Sequence, residues 1–243
     1  MSTPPPPQQS PAHQPFILPP PPPQKKSRVG VVLGVVGGVM ALSIVAWAAV
    51  MVTGIGTGIG IGIGTDGDFP EARYRLAMPE TLLDGEYKLE EDLSDSPQES
   101  YVRHAESALG GRDVRAAVAI YRPTDRGGQL NVSGMYGRFQ DADDARDTWL
   151  AGAADPDGMS LARAPEDFRP SGSDVTVTCQ VIAKEDLNMR VIMPMCAWND
   201  GNTGALIGEI DPGTSSWDAK DVDLASLAER TARIRAELRQ PIN

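Results

Sequence analysis

Residues 29–65 carry no charge, and the run is flanked by Lys25, Lys26 and Arg28 before it and by Asp66 and Asp68 after it. No feature constrains the chain more, because so long an uncharged stretch has few places to go in water. A bilayer core of about 30 Å takes roughly 20 apolar residues as a helix, and residues 29–52 supply them without one charged side chain. The pattern predicts a transmembrane helix over 29–53. Basic flanks stay cytoplasmic, so the N-terminus is expected inside and the C-terminal domain outside, as a single-pass protein of the cell membrane. The rival reading is a signal peptide cleaved after Ala46-Trp47-Ala48, and the long proline-rich leader argues against it.

Gly30, Gly34 and Gly38 recur every four residues, each followed by a valine. Such a row of small residues lets two backbones approach in lipid, where packing drives helix association. It predicts a helix-pairing face and a homodimer. Beyond it, residues 54–64 place glycine at every second position, which costs a helix about 1 kcal/mol per glycine. Residues 54–68 therefore read as a Gly-rich linker. The repeat is no dinucleotide loop, since G-x-G-x-x-G needs a three-residue step that a period of two never makes.

Residues 1–28 contain two unbroken proline runs. Such a segment favours an extended polyproline conformation and buries no core, so a disordered cytoplasmic tail is expected. Pro20 and Pro23, followed by Lys25, fit a docking pattern for aromatic-lined grooves.

Residues 69–243 have the size of one compact domain. All 33 acidic residues of the chain follow residue 65, with all but three of the 22 Lys and Arg, so this part is more acidic than the whole chain's formal −11. Such a surface repels nucleic acid. It suits solubility in the envelope or attraction to cationic partners.

Cys179 and Cys196 are the only cysteines, and both fall outside the predicted membrane segment. An even count in an oxidising compartment points to a disulfide. Val175, Val177, Cys179 and Val181 share one strand parity; Ile192, Pro194, Cys196 and Trp198 share another. Two neighbouring strands with inward cysteines satisfy the geometry of a bridge.

The remaining elements follow from period and caps. Ser96-Pro97-Gln98-Glu99 is a capping box ahead of a helix whose apolar face is Val102, Ala105 and Leu109. Val114, Ala116, Val118 and Ile120 alternate as a strand and return through a loop to Leu130, Val132 and Gly134. Residues 141–153 read as a helix with Ala142, Ala145 and Trp149 inward. A polar loop follows, then the cysteine strands, an Asn199-Asp200-Gly201-Asn202 turn, and a strand over 203–210. Leu224, Leu227, Thr231, Ile234 and Leu238 mark a final amphipathic helix, led by Asp221 and Asp223 and trailed by Arg233, Arg235 and Arg239 in accord with its dipole. The expected fold is α+β: one transmembrane helix, then an extracytoplasmic antiparallel sandwich with about three helices.

The chemistry is sparse. His104 is the sole histidine of the outer domain and sits on a helix flank, with no nucleophile elbow near it in sequence. Zinc would need three or four ligands that the pattern does not offer. Met189, Met193 and Met195 share the strand face opposite Cys196 and read as gap-fillers, and Pro194 among them points to an edge strand or a bulge. No catalytic residue, metal site or cofactor is expected.

The order of parts carries a resemblance. A proline-rich tail and one helix precede Tyr74-Arg75-Leu76, Pro79 and Leu82-Leu83-Asp84-Gly85, with Cys179, Cys196-Ala197-Trp198-Asn199-Asp200 and Gly204 later. This resembles a class of membrane-anchored actinobacterial proteins of unassigned activity, although Asn199 stands where that class has a small residue. The resemblance implies the topology and the disulfide, and no active site. The function expected is a membrane-anchored, non-enzymatic binding or interaction module of the cell envelope, meeting an envelope ligand or protein. A signal relay using the proline-rich tail is the alternative, and an envelope hydrolase a further one.

Overall fold

The computed structural model describes residues 69–242 other than 97–98, 155, 157, 187–188, 212 and 214–217. The expected tail, membrane helix and linker lie outside these residues, and so does the Gly30, Gly34 and Gly38 face. Among the described residues no helix is long and apolar enough to cross a membrane.

Ten strands and three α-helices make up the described fold. Three short strands, β1 (Tyr74–Leu76), β2 (Thr81–Leu82) and β3 (Tyr87–Asp92), lead to helix α1 (Glu99–Ala108). A long hairpin follows, β4 (Gly111–Pro123) with β5 (Gln129–Phe139), and then α2 (Ala142–Ala154). The second half runs β6 (Met159–Phe168), β7 (Val177–Asp186), β8 (Met189–Asn199) and β9 (Thr203–Ile210). Helix α3 (Leu224–Leu238) and β10 (Arg239–Pro241) end it.

Eight strands form one antiparallel sheet in the order β2-β3-β4-β5-β9-β8-β7-β6. It is thus two meanders, β2 to β5 and β6 to β9, joined at its middle by β5 against β9. The first and last strands form a separate pair, Tyr74 opposite Pro241 and Leu76 opposite Arg239. The start and the end of the described domain therefore meet.

Strand parity sorts the side chains onto two buried faces. Leu130 and Val132, Cys179 and Val181, Cys196 and Trp198, and Ala205 and Ile207 pack with Leu224, Leu227, Ala228 and Ile234 of α3. On the opposite face, Ile182, Met193, Met195, Ala197 and Leu206 pack against Leu150 and Ala153 of α2. Nearby, Met135 and Phe139 meet Ala105 and Leu109 of α1 and Trp149 of α2. The antiparallel sheet and three helices accord with the expected α+β class, and the helices cover both faces of one sheet. β4 is buried on both sides, with Ala117, Ala119 and Tyr121 in the α3 core and Val118 and Ile120 facing the other way. Met193 and Met195 fill the α2 face as ordinary core residues, opposite Cys196, as their parity predicts.

Strands β1, β2, β3, β6 and β10 were not foreseen. β6 occupies the segment read as a loop because its residues are mostly exposed and its pairing with β7 slips on both sides of Arg163, so no alternation survives. Charge and bulges of this kind protect a sheet edge from pairing with another chain. Glu90, Glu91 and Asp92 serve the same end at the opposite margin, on the exposed side chains of β3. Strand β8, in contrast, lies inside the sheet, against the edge position expected from Pro194. Its ladder to β9 runs only from Met195 to Asn199, so proline stands just past it with β7 alone as neighbour.

The final helix falls where its periodicity places it. Asp223 caps it, accepting from Ser226 N at 3.0 Å. Helix α2 is opened by Asp141, whose carboxylate accepts from the backbone N–H groups of Asp143 and Asp144.

Candidate functional site

Cys179 and Cys196 stand directly opposite each other in the β7–β8 register and form a disulfide, with Cα atoms 4.0 Å apart. Both are fully buried beneath α3. Closing this 17-residue separation stabilises the fold by about 3 kcal/mol in the chain-entropy model. Its sulfur atoms have no path to solvent, so its role is to hold the second meander.

Two charged clusters that the sequence does not announce hold α3, one at its C-terminal end and one at its middle. The first centres on Asp200 in the β8–β9 turn, whose side chain is only 6 % exposed. Oδ1 accepts from the backbone N–H of Asn202 and Thr203 at 3.1 and 2.7 Å. Oδ2 accepts from Thr203 Oγ1 at 2.9 Å and from Arg235 Nη2 at 2.7 Å. Arg239 Nε also lies 3.0 Å from Oδ2, in ion-pair contact without hydrogen-bond alignment. Arg235, itself buried, reaches Asp174 at 2.7 Å. Burial pushes the Asp174 carboxyl up, but the Arg235 bond and charge outweigh it and hold it below the usual aspartate range.

The second cluster joins Tyr87, Arg126, Glu209 and Arg230. The Tyr87 hydroxyl donates to Glu209 Oε1 at 2.6 Å. Arg126 donates to the same two oxygens at 2.7 and 3.0 Å, and Arg230 contacts both as well. Both guanidinium groups lie over the Tyr87 ring, 5.6 Å from its centroid. Burial raises the Tyr87 phenol well above its ordinary value, and the Glu209 carboxylate adds to that. For Glu209, burial acts upward, while the Tyr87 hydroxyl and the two arginines act downward and win. The result is a neutral phenol beside a carboxylate held ionised.

The short motifs behind the resemblance acquire structural causes. Leu83, Asp84 and Gly85 take φ of 54°, 58° and 88° to turn β2 into β3. That strained turn is held by α3: Glu237 accepts from Leu83 N at 3.0 Å, and Arg233 donates to Asp84 at 2.8 Å. The Pro79 carbonyl accepts from the buried Tyr121 hydroxyl at 3.0 Å. A Cβ at Gly204 would overlap the Trp149 indole, so only glycine lets α2 approach the sheet there.

His104 is exposed on α1, and no three His, Cys, Asp or Glu side chains could share a metal ion among the described residues. A shallow groove of about 250 Å³ lies between Phe168, Arg169 and Pro170 and the first turns of α3. Its carboxylates are already engaged, Asp223 with the helix N-terminus and Glu229 with Ser171 N.

Fold and site together define an antiparallel, disulfide-bridged sheet covered by helices on both faces, with its charged clusters turned inward onto the last helix. No protein family, curated protein or solved structure matches the chain.

Little in the sequence announces the clusters. Tyr87 and Glu209 are 122 residues apart, and Asp200 lies in a stretch that any turn would use. The one available signal was Arg235, which falls in line with the apolar stripe of α3 at Thr231 and Leu238.

Proposed function

We propose that this chain is a membrane-anchored, non-enzymatic binding or interaction module of the cell envelope. Residues 29–53 span the membrane once, residues 1–28 lie in the cytoplasm, and the disulfide-bridged domain projects outward on the 54–68 linker. The observation that carries the reading is the Cys179–Cys196 bond, which unites the only two cysteines of the chain. Such bonds persist in oxidising compartments and are rare in the cytosol.

The described polar groups carry structural roles, which suits a binding or interaction module. The buried charges hold α3 in place, and the described groove presents no uncommitted acid–base pair. The resemblance to membrane-anchored actinobacterial proteins points the same way.

Protease added to intact cells that make the full chain tests the topology. With an epitope on residue 1, the domain is expected to be digested while the tail survives at the membrane. A domain protected until the cells are lysed overturns the reading. Cross-linking on those cells followed by affinity recovery tests the binding role, and recovery of the chain with no envelope component attached counts against it.

A further inference from the structure

We infer that the strand leading into the domain and the C-terminal helix open as one unit, with Asp200 as the positioning residue that couples them. Its carboxylate serves the turn and the helix at once, and only Oδ2 meets the arginines. Oδ1 shapes the β8–β9 turn through the Asn202 and Thr203 amides. The turn so formed presents the Asn202 side chain, which accepts from Arg73 N at 2.9 Å and donates to the Glu71 carbonyl at 3.0 Å. Oδ2 holds Arg235 and Arg239, at the last turn of α3 and the start of β10, while also accepting from the Thr203 hydroxyl of the turn.

The other contacts close the loop. Arg239 lies over the Tyr74 ring, 3.2 Å from its centroid. Ala77 N donates to the Leu238 carbonyl and Ile242 N to the Arg73 carbonyl, both at 2.9 Å. A pull or a contact on the segment that leads into Phe69 therefore acts on Asn202, then Asp200, then α3. The inference does not depend on what lies before residue 69. On the anchored reading, this is where the tether joins the domain. Energetic coupling of two sites through one element is reciprocal.

Hydrogen exchange on the full chain tests this with two variants. Asp200→Asn keeps one carbonyl oxygen for the turn and replaces the other with an amide that cannot accept from the arginines. It is expected to raise exchange at least tenfold over both 235–242 and 71–77, with the Cys179–Cys196 hairpin and residues 142–154 unchanged. Asn202→Ala removes a side chain whose described hydrogen bonds go to Glu71, Arg73 and Gly201, and is expected to raise exchange in the last turn of α3 as well as over 71–77. Loosening of only one of the two segments in either variant overturns the inference. Equal loosening of the whole domain overturns it too, because the segments would then have no unit of their own.

Discussion

The Tyr87 hydroxyl and Glu209 Oε1 lie 2.6 Å apart, between two arginines that each touch both oxygens. Tyr87 comes from the first meander, Glu209 from the last strand of the second, and Arg230 from α3, so one cluster ties three parts of the domain. Removing Glu209, whose side chain is 16 % exposed, leaves both arginines uncompensated, and because Arg126 is 38 % exposed solvent screens part of the loss, for a cost of about 1–3 kcal/mol. Glu209→Gln is expected to destabilise by that order in chemical denaturation. Tyr87→Phe, which deletes one hydroxyl and leaves the arginines on Glu209, is expected to cost about 1–3 kcal/mol.

The same cluster sets a dependence on pH at both extremes. Glu209 has a folded-state pKa below its ordinary 4.5, so its contribution is fully present above that value. It is lost as pH falls through the lower, folded value. Tyr87 has a folded-state pKa above its ordinary 10.0, so its contribution is present below 10.0 and lost as pH rises beyond it. Thermal melts across pH should show a shallower acid limb in Glu209→Gln and a shallower alkaline limb in Tyr87→Phe. Limbs identical to wild type would contradict the assignment.

Gly204 lies under the Trp149 ring where a Cβ has no room. Gly204→Ala is expected to destabilise by about 1–3 kcal/mol through overpacking. Adding Trp149→Leu to it should recover part of that loss, since the smaller side chain frees the space. A double variant that is simply the sum of two losses would argue against the contact as the cause.

Replacing both Cys179 and Cys196 by alanine is expected to lower stability by about 3 kcal/mol. Proteolysis of the variant should begin in the β7–β8 hairpin, whose strands then lack their covalent link. An unchanged denaturation midpoint would show that the β7–β8 ladder and the α3 core carry the hairpin alone.

Gly34 is the middle residue of the proposed pairing face. A bulky side chain there separates the two backbones, so Gly34→Ile is expected to abolish self-association in a membrane-helix reporter assay. Association at the wild-type level would remove the homodimer through this face.

Several elements were legible because local period and burial agree in them. The C-terminal helix shows its stripe at Leu224, Leu227, Thr231, Ile234 and Leu238, and all five are buried. The cysteine strands show theirs through Val177, Cys179 and Val181 against Ile192, Cys196 and Trp198. β6 was illegible for the opposite reason, since an exposed strand with slipped register leaves no alternation to read. β1 and β10 are three residues each and exist only because the start and end of the domain meet.

Alone, then, the sequence determined the parity of the cysteine strands, the apolar stripes of the helices, and the uncharged 29–65 run with its glycine spacing; the Ser96–Glu99 capping box includes residues 97–98, which lie outside the described residues. All of these depend on residues within a few positions of one another. Tertiary structure decided the rest. It placed α3 on one face of the sheet and α1 and α2 on the other, joined the two meanders at β5 and β9, and gathered Tyr87, Arg126, Glu209 and Arg230. It also turned Asp200 from a turn residue into the hub beneath Arg235 and Arg239. A charge becomes a structural hub only when folding removes it from water and sets its partners around it, and those partners lie up to 143 residues away along the chain.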